Sequence, residues 1–262
     1  MSILVRSLRL IKEKGLKEFL KRAIVFLDHK TGFVSILLLP YVVYRFRRMD
    51  LEETLKELFS DSLLGLLYRP MRVREEVESL LKILRELRPK YVLEIGTAHG
   101  GTLLLWTKVA SEDATIISID LPGGPFGSGY PWLRSLVYKA WTKDRQKIFL
   151  IRGDSHKLET LEKVEEVLKD SKLDFLFIDG DHTYEGVRRD FEMYALRVRK
   201  GGIIALHDIV PHPPETGCEV SKFWEEIKRR LKDYAEFMEI VKDWQQGWAG
   251  VGVILLTQRC RA

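Results

Sequence analysis

Hydrophobic and polar positions follow a regular pattern beyond Pro89. Short apolar runs alternate there with longer stretches in which apolar residues recur at helical spacing. The predicted strands are Tyr91–Ile95, 115–119, 148–151, Leu173–Ile178 and 202–206. Strands that alternate with helices predict a parallel sheet with crossover helices, so the expected fold class is a doubly wound α/β fold.

The pattern changes again near the end of the chain. A helix is predicted near residues 219–234, and two further apolar runs follow at 237–241 and Val251–Leu256. The segment between these runs is rich in glycine and tryptophan. We therefore expect a hairpin that closes the sheet.

A different pattern precedes the sheet. The segment 3–27 contains both apolar and basic residues, and the apolar ones recur at helical spacing. This pattern predicts a basic amphipathic helix. The apolar run 33–44 contains Pro40 and is too short for a membrane-spanning helix, which needs about 20 apolar residues. Asp50 and Glu53 predict a capping box, and a helix near 73–87 should stop before Pro89. We therefore divide the chain into a helical extension, residues 1–70, and a sheet domain, residues 71–262.

Charge separates the two parts further. Residues 1–48 hold eleven Lys and Arg residues against three acids, although the whole chain has a formal charge of only +5. One interpretation is a peripheral membrane contact through residues 1–48; the other is a helical cap or a dimer arm, which would make the protein a homo-oligomer. No nucleic-acid partner is expected, because aromatic residues do not interleave with the basic ones in a recognition motif.

Composition indicates the setting. Cys218 and Cys260 lie far apart and no cleavable signal peptide is evident, which favours a reducing cytoplasmic location, with peripheral membrane contact as the variant. The chain has no Asn and only four Gln, while 31% of its residues are charged. Scarce amides and abundant charges are typical of thermophile proteins.

A glycine-rich turn follows the first predicted strand. Such a turn lets a ligand approach the backbone, and the helix after it offers unpaired N–H groups. Asp120 ends the second strand about 20 residues later, where an acid can hydrogen-bond a ribose diol. The spacing of Gly96 and Gly100 does not match the dinucleotide motif, and Glu94 would repel a pyrophosphate but suits a sulfonium. S-adenosylmethionine (SAM) is therefore preferred to a nicotinamide cofactor.

Further cofactor contacts are expected beyond the third strand. Asp154 could accept a hydrogen bond from an adenine amino group, or it could cap the following helix. The candidate cofactor-binding residues are Glu94, Gly96, Thr97, Gly100, Gly101, Asp120, Asp154, Ser155 and Asp179.

Acids and histidines follow the next two strands. Asp179 and His182 come after the fourth strand, and His207 and Asp208 end the fifth. Because consecutive strand ends meet in one crevice of a parallel sheet, we expect these side chains to face each other. A cluster of carboxylates needs a compensating cation, which predicts a divalent metal, Mg²⁺ or Mn²⁺, on Asp179, His207 and Asp208. His182 would then act as general base beside Asp179.

Four motifs together resemble one family. They occupy 92–102, 118–124, 177–186 and 201–208, in this order. Over about residues 72–257 the chain resembles class I SAM-dependent methyltransferases of the macrocin and mycinamicin sugar O-methyltransferase type, a family that includes proteins called cephalosporin hydroxylase. The resemblance implies a seven-stranded sheet whose last strand is antiparallel, with SAM over the 94–101 turn and Asp120 on its ribose.

The resemblance also implies a reaction, which is metal-assisted methylation of a small-molecule or sugar hydroxyl. The positions of Asp179, His207 and Asp208 bind magnesium in metal-dependent members, and the histidine that matches His182 is the base. Those members have an acid where this chain has His207, and a nitrogen ligand favours Mn²⁺, iron or zinc over Mg²⁺. The alternatives are a hydroxylase or an NAD-dependent oxidoreductase on the same sheet, or a membrane-associated binding protein.

Overall fold

A seven-stranded sheet forms the centre of the computed structural model. The model describes residues 3–124, 129–143 and 145–257, with the backbone alone over 3–14. The strands are β1 (Tyr91–Ile95), β2 (Thr115–Asp120), β3 (Lys147–Arg152), β4 (Leu173–Ile178), β5 (Val198–His207), β6 (Ala235–Ile240) and β7 (Val251–Leu256). Their order is β3-β2-β1-β4-β5-β7-β6. Strand β7 runs in the opposite direction to the other six strands and pairs antiparallel with β5 and β6. The predicted doubly wound fold is confirmed.

Helices cover both faces of the sheet. They are α1 (Ile3–Thr31), α2 (Phe33–Leu37), α3 (Leu39–Arg48), α4 (Leu51–Leu58), α5 (Leu63–Tyr68), α6 (Arg74–Leu87), α7 (Gly101–Val109), α8 (Arg134–Lys139), α9 (Leu158–Leu168), α10 (Tyr184–Tyr194) and α11 (Val220–Leu231). Short 3₁₀ turns lie at Ala195–Arg197 and Pro214–Thr216.

Alternate residues of the strands pack into two hydrophobic cores, one on each face of the sheet. Val92 packs with side chains from α3 to α8, whereas its neighbour Leu93 packs with side chains from α9 to α11. Both faces of β1 are therefore buried. This explains why the central strands read as continuous apolar runs and not as alternating ones.

Several boundaries differ from those predicted from sequence. Helix α1 is interrupted at Gly15, whose φ of 82° and ψ of 164° are not helical, and the run 33–44 forms parts of two helices with Pro40 in the first turn of the second. Helices α5 and α8 were not predicted, because six residues are too few to show a helical period. The predicted capping box at Asp50 and Glu53 is confirmed.

The extension packs on the sheet domain as a cap. Val42 and Phe46 of α3 are buried in the same core as Leu103 and Trp106 of α7. None of the described helices is long and apolar enough to cross a membrane.

A buried ion pair joins the extension to α8. Arg134 donates to Asp28 Oδ2 through Nε (3.0 Å) and Nη2 (2.8 Å), and Nη2 also donates to the carbonyl of Leu67 (2.7 Å). The carboxylate of Asp28 accepts further bonds from the backbone N–H and the hydroxyl of Ser35. Arg134 and Asp28 are 1% and 0% exposed, so each charge depends on the other.

Replacing Asp28 by Ala should lower the free energy of unfolding by about 3–5 kcal/mol, because it leaves a buried guanidinium without its partner. Glu78→Ala removes the exposed pair with Arg74 and should cost less than about 1 kcal/mol. Urea unfolding followed by circular dichroism measures both. Equal losses for the two variants would contradict the assigned role of Asp28.

Candidate functional site

Two adjoining cavities open at the carboxyl end of the parallel strands. The smaller has a volume of about 140 Å³ and is lined mainly by residues at the ends of β1, β2 and β3. The larger has a volume of about 270 Å³ and lies over the ends of β1, β4 and β5. Gly96 and Gly180 line both cavities, so a single elongated ligand can occupy the two together.

Gly96 allows the ends of β1 and β4 to approach closely. Its φ is 95°, and a Cβ at this position would lie 2.0 Å from the carbonyl oxygen of Asp179. Gly101 serves packing in a similar way, since its Cβ would lie 2.2 Å from the carbonyl oxygen of Tyr68. The glycines of this turn were predicted from ligand approach, and the structure shows that two of them also permit contacts within the protein.

Asp120 holds the glycine turn and keeps one oxygen for a ligand. Its Oδ2 accepts hydrogen bonds from the backbone N–H groups of Thr97 (3.1 Å) and Ala98 (2.6 Å). Its Oδ1 is buried and has no hydrogen-bond partner among the described residues. Burial raises the pKa of Asp120, although the backbone N–H groups oppose the rise. The smaller cavity thus contains an acceptor oxygen that requires a donor.

Asp154 and Ser155 line the same cavity, as predicted. Asp154 Oδ1 accepts from the backbone N–H of His156 at 2.9 Å, and helix α9 has Lys157 as its N-cap. The interpretation of Asp154 as a helix cap is therefore wrong. Its carboxylate belongs to the cavity wall.

The structure places Glu94 away from both cavities. Its side chain lies beneath the turn, where Oε1 accepts from Trp106 Nε1 at 2.9 Å and the buried Oε2 has no hydrogen-bond partner among the described residues. Burial raises the pKa of Glu94 to about 7, against the hydrogen bonds of Thr102 and Trp106. Glu94 is therefore not placed to face a sulfonium, and Trp106 is the partner that the sequence pattern did not reveal.

The predicted acid and histidine cluster forms in the larger cavity. His207 Nδ1 lies 3.2 Å from Asp179 Oδ1 and 3.1 Å from Asp208 Oδ1. His182 Nδ1 lies 2.7 Å from Asp208 Oδ2. One ligand atom each of Asp179, His207 and Asp208 lies within 4.8 Å of the others. The expected convergence of the ends of β4 and β5 is confirmed.

Asp208 is the most constrained member of this cluster. Its φ of 65° is left-handed, which is uncommon for a residue other than glycine. Oδ1 accepts from the backbone N–H of Ala249 at 2.9 Å and lies 3.2 Å from His212 Nε2. Burial would raise the pKa of Asp208, but His207, His182 and His212 together hold it well below its ordinary value.

His182 and His207 have opposite protonation tendencies. Burial lowers the pKa of His182, but the hydrogen bonds to Asp208 and Cys218 outweigh burial and raise the pKa to about 9. Burial and the nearby Arg72 lower the pKa of His207. At neutral pH the cluster therefore contains one cationic and one neutral imidazole.

Arg72 adds a second cation that the sequence analysis missed. Its Nη2 contacts Asp179 Oδ2, and the guanidinium lies 5.5 Å from the centre of the Phe177 ring. Arg72 precedes α6, so no strand-end pattern points to it. Because Arg72 and His182 already balance the two carboxylates, charge balance alone does not require a metal.

The extension forms part of the same site. His29 of α1 stacks on His99 of the glycine turn, with ring centres 3.9 Å apart, and Tyr138 donates to the carbonyl of Ala98 at 3.1 Å. Burial lowers the pKa of His29 to about 4 and that of His99 to about 3. Both rings are therefore neutral at physiological pH, which permits them to stack beside the Arg134 guanidinium.

One protein family model matches the central part of the chain, from β1 to just past β5. Residues 93–209 match the family model described as a methyltransferase domain. The matched residues include the glycine turn, Asp120 and the acid and histidine cluster.

Solved structures share the fold of this sheet and its helices. An O-methyltransferase from Bacillus cereus, solved with S-adenosylhomocysteine (SAH), is 19% identical with a TM-score of 0.53, over 77% of this chain and 90% of that one. TomG, an O-methyltransferase from Streptomyces achromogenes solved with SAM, is 17% identical with a TM-score of 0.54, over 78% and 90%. At these identities the likeness establishes the fold.

A curated relative extends the comparison only a little. Uncharacterized protein y4gI of Sinorhizobium fredii is 24% identical over 148 residues, which are 55% of this chain. The match spans only 16% of the length of that protein.

The free energy of unfolding should depend on pH through Glu94. Its carboxyl has a pKa of about 7 when folded and 4.5 ordinarily, so the folded state retains a proton that the unfolded chain releases between these values. Stability from this group is full below pH 4.5 and lost as the pH rises through 7. Glu94→Gln should therefore be more stable than wild type at pH 8, by about 2–3 kcal/mol, and similar at pH 4.5.

Urea unfolding at the two pH values measures this difference, with the exposed Glu236→Gln as the matched control. A gain at pH 8 that equals the gain at pH 4.5 would show that Glu94 does not titrate in the expected window.

Proposed function

We propose that this protein transfers the methyl group of SAM to the hydroxyl oxygen of a sugar or another small molecule. The observation that carries the proposal is the pair of adjoining cavities joined at Gly96 and Gly180. One cavity offers an unpaired acceptor on Asp120, and the other contains the acid and histidine cluster. SAM can therefore extend from one cavity into the other, where its methyl group would meet the acceptor.

The smaller cavity suits the adenosine part of SAM. A ribose hydroxyl can donate to Asp120 Oδ1, the buried oxygen without a hydrogen-bond partner among the described residues. Asp154 lies across the same cavity and can accept from an adenine amino group. The methionine part would then lie beyond Gly96, in the larger cavity beside Thr97. When bound, SAM supplies the electrophilic methyl group.

The larger cavity suits the acceptor. His182 lines it, and Asp208 fixes the orientation of the imidazole ring through Nδ1. We assign His182 the role of proton acceptor for the hydroxyl, once the site has released the proton that the ring holds at neutral pH. The hydroxyl oxygen forms the new bond to the methyl carbon while the carbon–sulfur bond breaks, and SAH leaves. Alignment of the two reactants supplies most of the rate.

A divalent metal fits three side chains of this cavity. Asp179, His207 and Asp208 can each offer one ligand atom, and neither ring nitrogen of the buried His207 makes a hydrogen bond to the described residues. The nitrogen ligand favours Mn²⁺ over Mg²⁺. A metal held there would lower the pKa of an acceptor hydroxyl. Arg72 competes with it, because the guanidinium is bound to Asp179 Oδ2.

Calorimetric titration with SAH tests the cofactor assignment. Wild-type protein should bind SAH, and Asp120→Asn should bind it about 10- to 100-fold more weakly, because the charged acceptor of the ribose bond is lost. The exposed Asp170→Asn is the control and should bind as wild type does. Wild-type protein that binds neither SAM nor SAH would overturn the proposed function, whatever acceptors are tried.

Titration with Mn²⁺ tests the metal assignment separately. Asp179→Asn should weaken Mn²⁺ binding at least tenfold because it removes a charged ligand, and should abolish turnover while SAH binding persists. Arg72→Gln should tighten Mn²⁺ binding, because it removes the competing cation. Full turnover by chelator-treated protein, with a panel of sugar and phenol acceptors, would overturn the metal role and leave methyl transfer standing.

A further inference from the structure

Helix α1 exposes a stripe of large apolar residues. Leu16, Leu20, Ile24 and Leu27 are between 40% and 59% exposed. Their spacing of four, four and three residues places them on one helical face. The opposite side of the helix contacts the protein through Asp28 and His29. The apolar face therefore points away from the core.

Helices α2 and α3 carry a second stripe with the same spacing. Phe33, Leu37, Tyr41 and Tyr44 are between 52% and 64% exposed, while other residues of these helices, such as Val42 and Phe46, are fully buried. Helix α2 packs on α8, which adds the exposed Leu136, and the exposed Trp132 lies just before α8. The core does not require these outward apolar residues, since the inner faces already fill it.

Basic residues border both stripes. Helical spacing places Lys17 along one edge of the α1 stripe and Lys30 along the opposite edge. Both side chains are exposed. Arg47 and Arg48 end the second stripe, and Arg48 lies over the Tyr44 ring at 5.1 Å. Of the three acids in residues 1–48, Asp28 is buried in its ion pair and Glu18 contacts Lys21 and Arg22. The apolar surface thus has a cationic border.

We propose that this surface, formed by α1 to α3 and the start of α8, docks on an anionic lipid membrane. Apolar side chains flanked by Lys and Arg are the chemistry of helices that lie in the membrane interface, with the cations on lipid phosphates. A second copy of the chain is the less favoured occupant. A two-fold symmetric contact would place two strongly cationic surfaces against each other, which costs binding energy.

Docking would place the larger cavity one helix away from the lipid surface. Helix α1 contacts the glycine turn through the stacked rings of His29 and His99, and the segment Arg69 to Arg72 lines the cavity. A hydroxyl on an amphiphilic acceptor could enter from this side. This consequence for the acceptor rests on the proposed function, whereas docking itself does not.

Vesicle flotation of the full chain tests the proposal without cofactor or acceptor. The protein should float with phosphatidylcholine vesicles that contain phosphatidylglycerol, and not with phosphatidylcholine alone; added salt should reduce binding.

Leu20→Glu/Ile24→Glu should weaken binding about tenfold or more, because it places charge in the apolar stripe. Lys17→Glu/Lys30→Glu should also weaken it about tenfold. Leu158→Glu is the matched control, since Leu158 is 71% exposed on α9, across the sheet.

Thermal melting and SAH binding of the variants show that they are folded. Equal flotation with neutral and anionic vesicles, or a Leu20→Glu/Ile24→Glu variant that floats as wild type does, would overturn the proposal. A wild-type protein that does not float would also overturn it. If light scattering then shows a dimer that the same double variant dissociates, a second copy covers the surface.

Discussion

The close approach of Gly96 to the carbonyl of Asp179 determines how this site is arranged. It joins the glycine turn after β1 to the loop after β4 with no side chain between them, and a Cβ at Gly96 would occupy the place of the carbonyl oxygen. Because of this contact, the cavity that contains Asp120 and the cavity that contains Asp179 share a wall of backbone. One elongated ligand can therefore extend past Gly96 from the first cavity into the second.

Electrostatic balance within the protein is the second constraint. Two buried carboxylates, Asp179 and Asp208, would be unstable without positive charge nearby. Arg72 and the protonated His182 provide that charge, each through a direct contact. The same contacts limit what a metal could gain, since each carboxylate already has a cationic partner. A metal would therefore have to compete with Arg72 for Asp179. The affinity of the site for a metal would then depend on Arg72 as well as on the three ligands.

The sequence predicted what depends on local periodicity and on strand ends. The proximity of Asp179 and His207 was predictable, because parallel strands end at one edge of the sheet. Arg72 could not, since it reaches the cluster from a segment that precedes α6 and carries no motif. Glu94 shows the opposite failure: its place in the motif was right, but its side chain turns to Trp106 because the strand alternates between the two faces of the sheet. Six-residue helices such as α8 were missed for lack of a period.

The extension shows why an apolar run has two meanings in a sequence. Residues 33–44 contain buried Val42 and exposed Tyr41 side by side, although both count as hydrophobic residues in the sequence. The inner residues fill a core with α7, so the cap is part of the fold, and the buried pair of Arg134 with Asp28 fixes its position. The outer residues add nothing to that core and expose apolar area to water, which is unfavourable unless a partner covers it. A cationic border around such a surface selects an anionic partner.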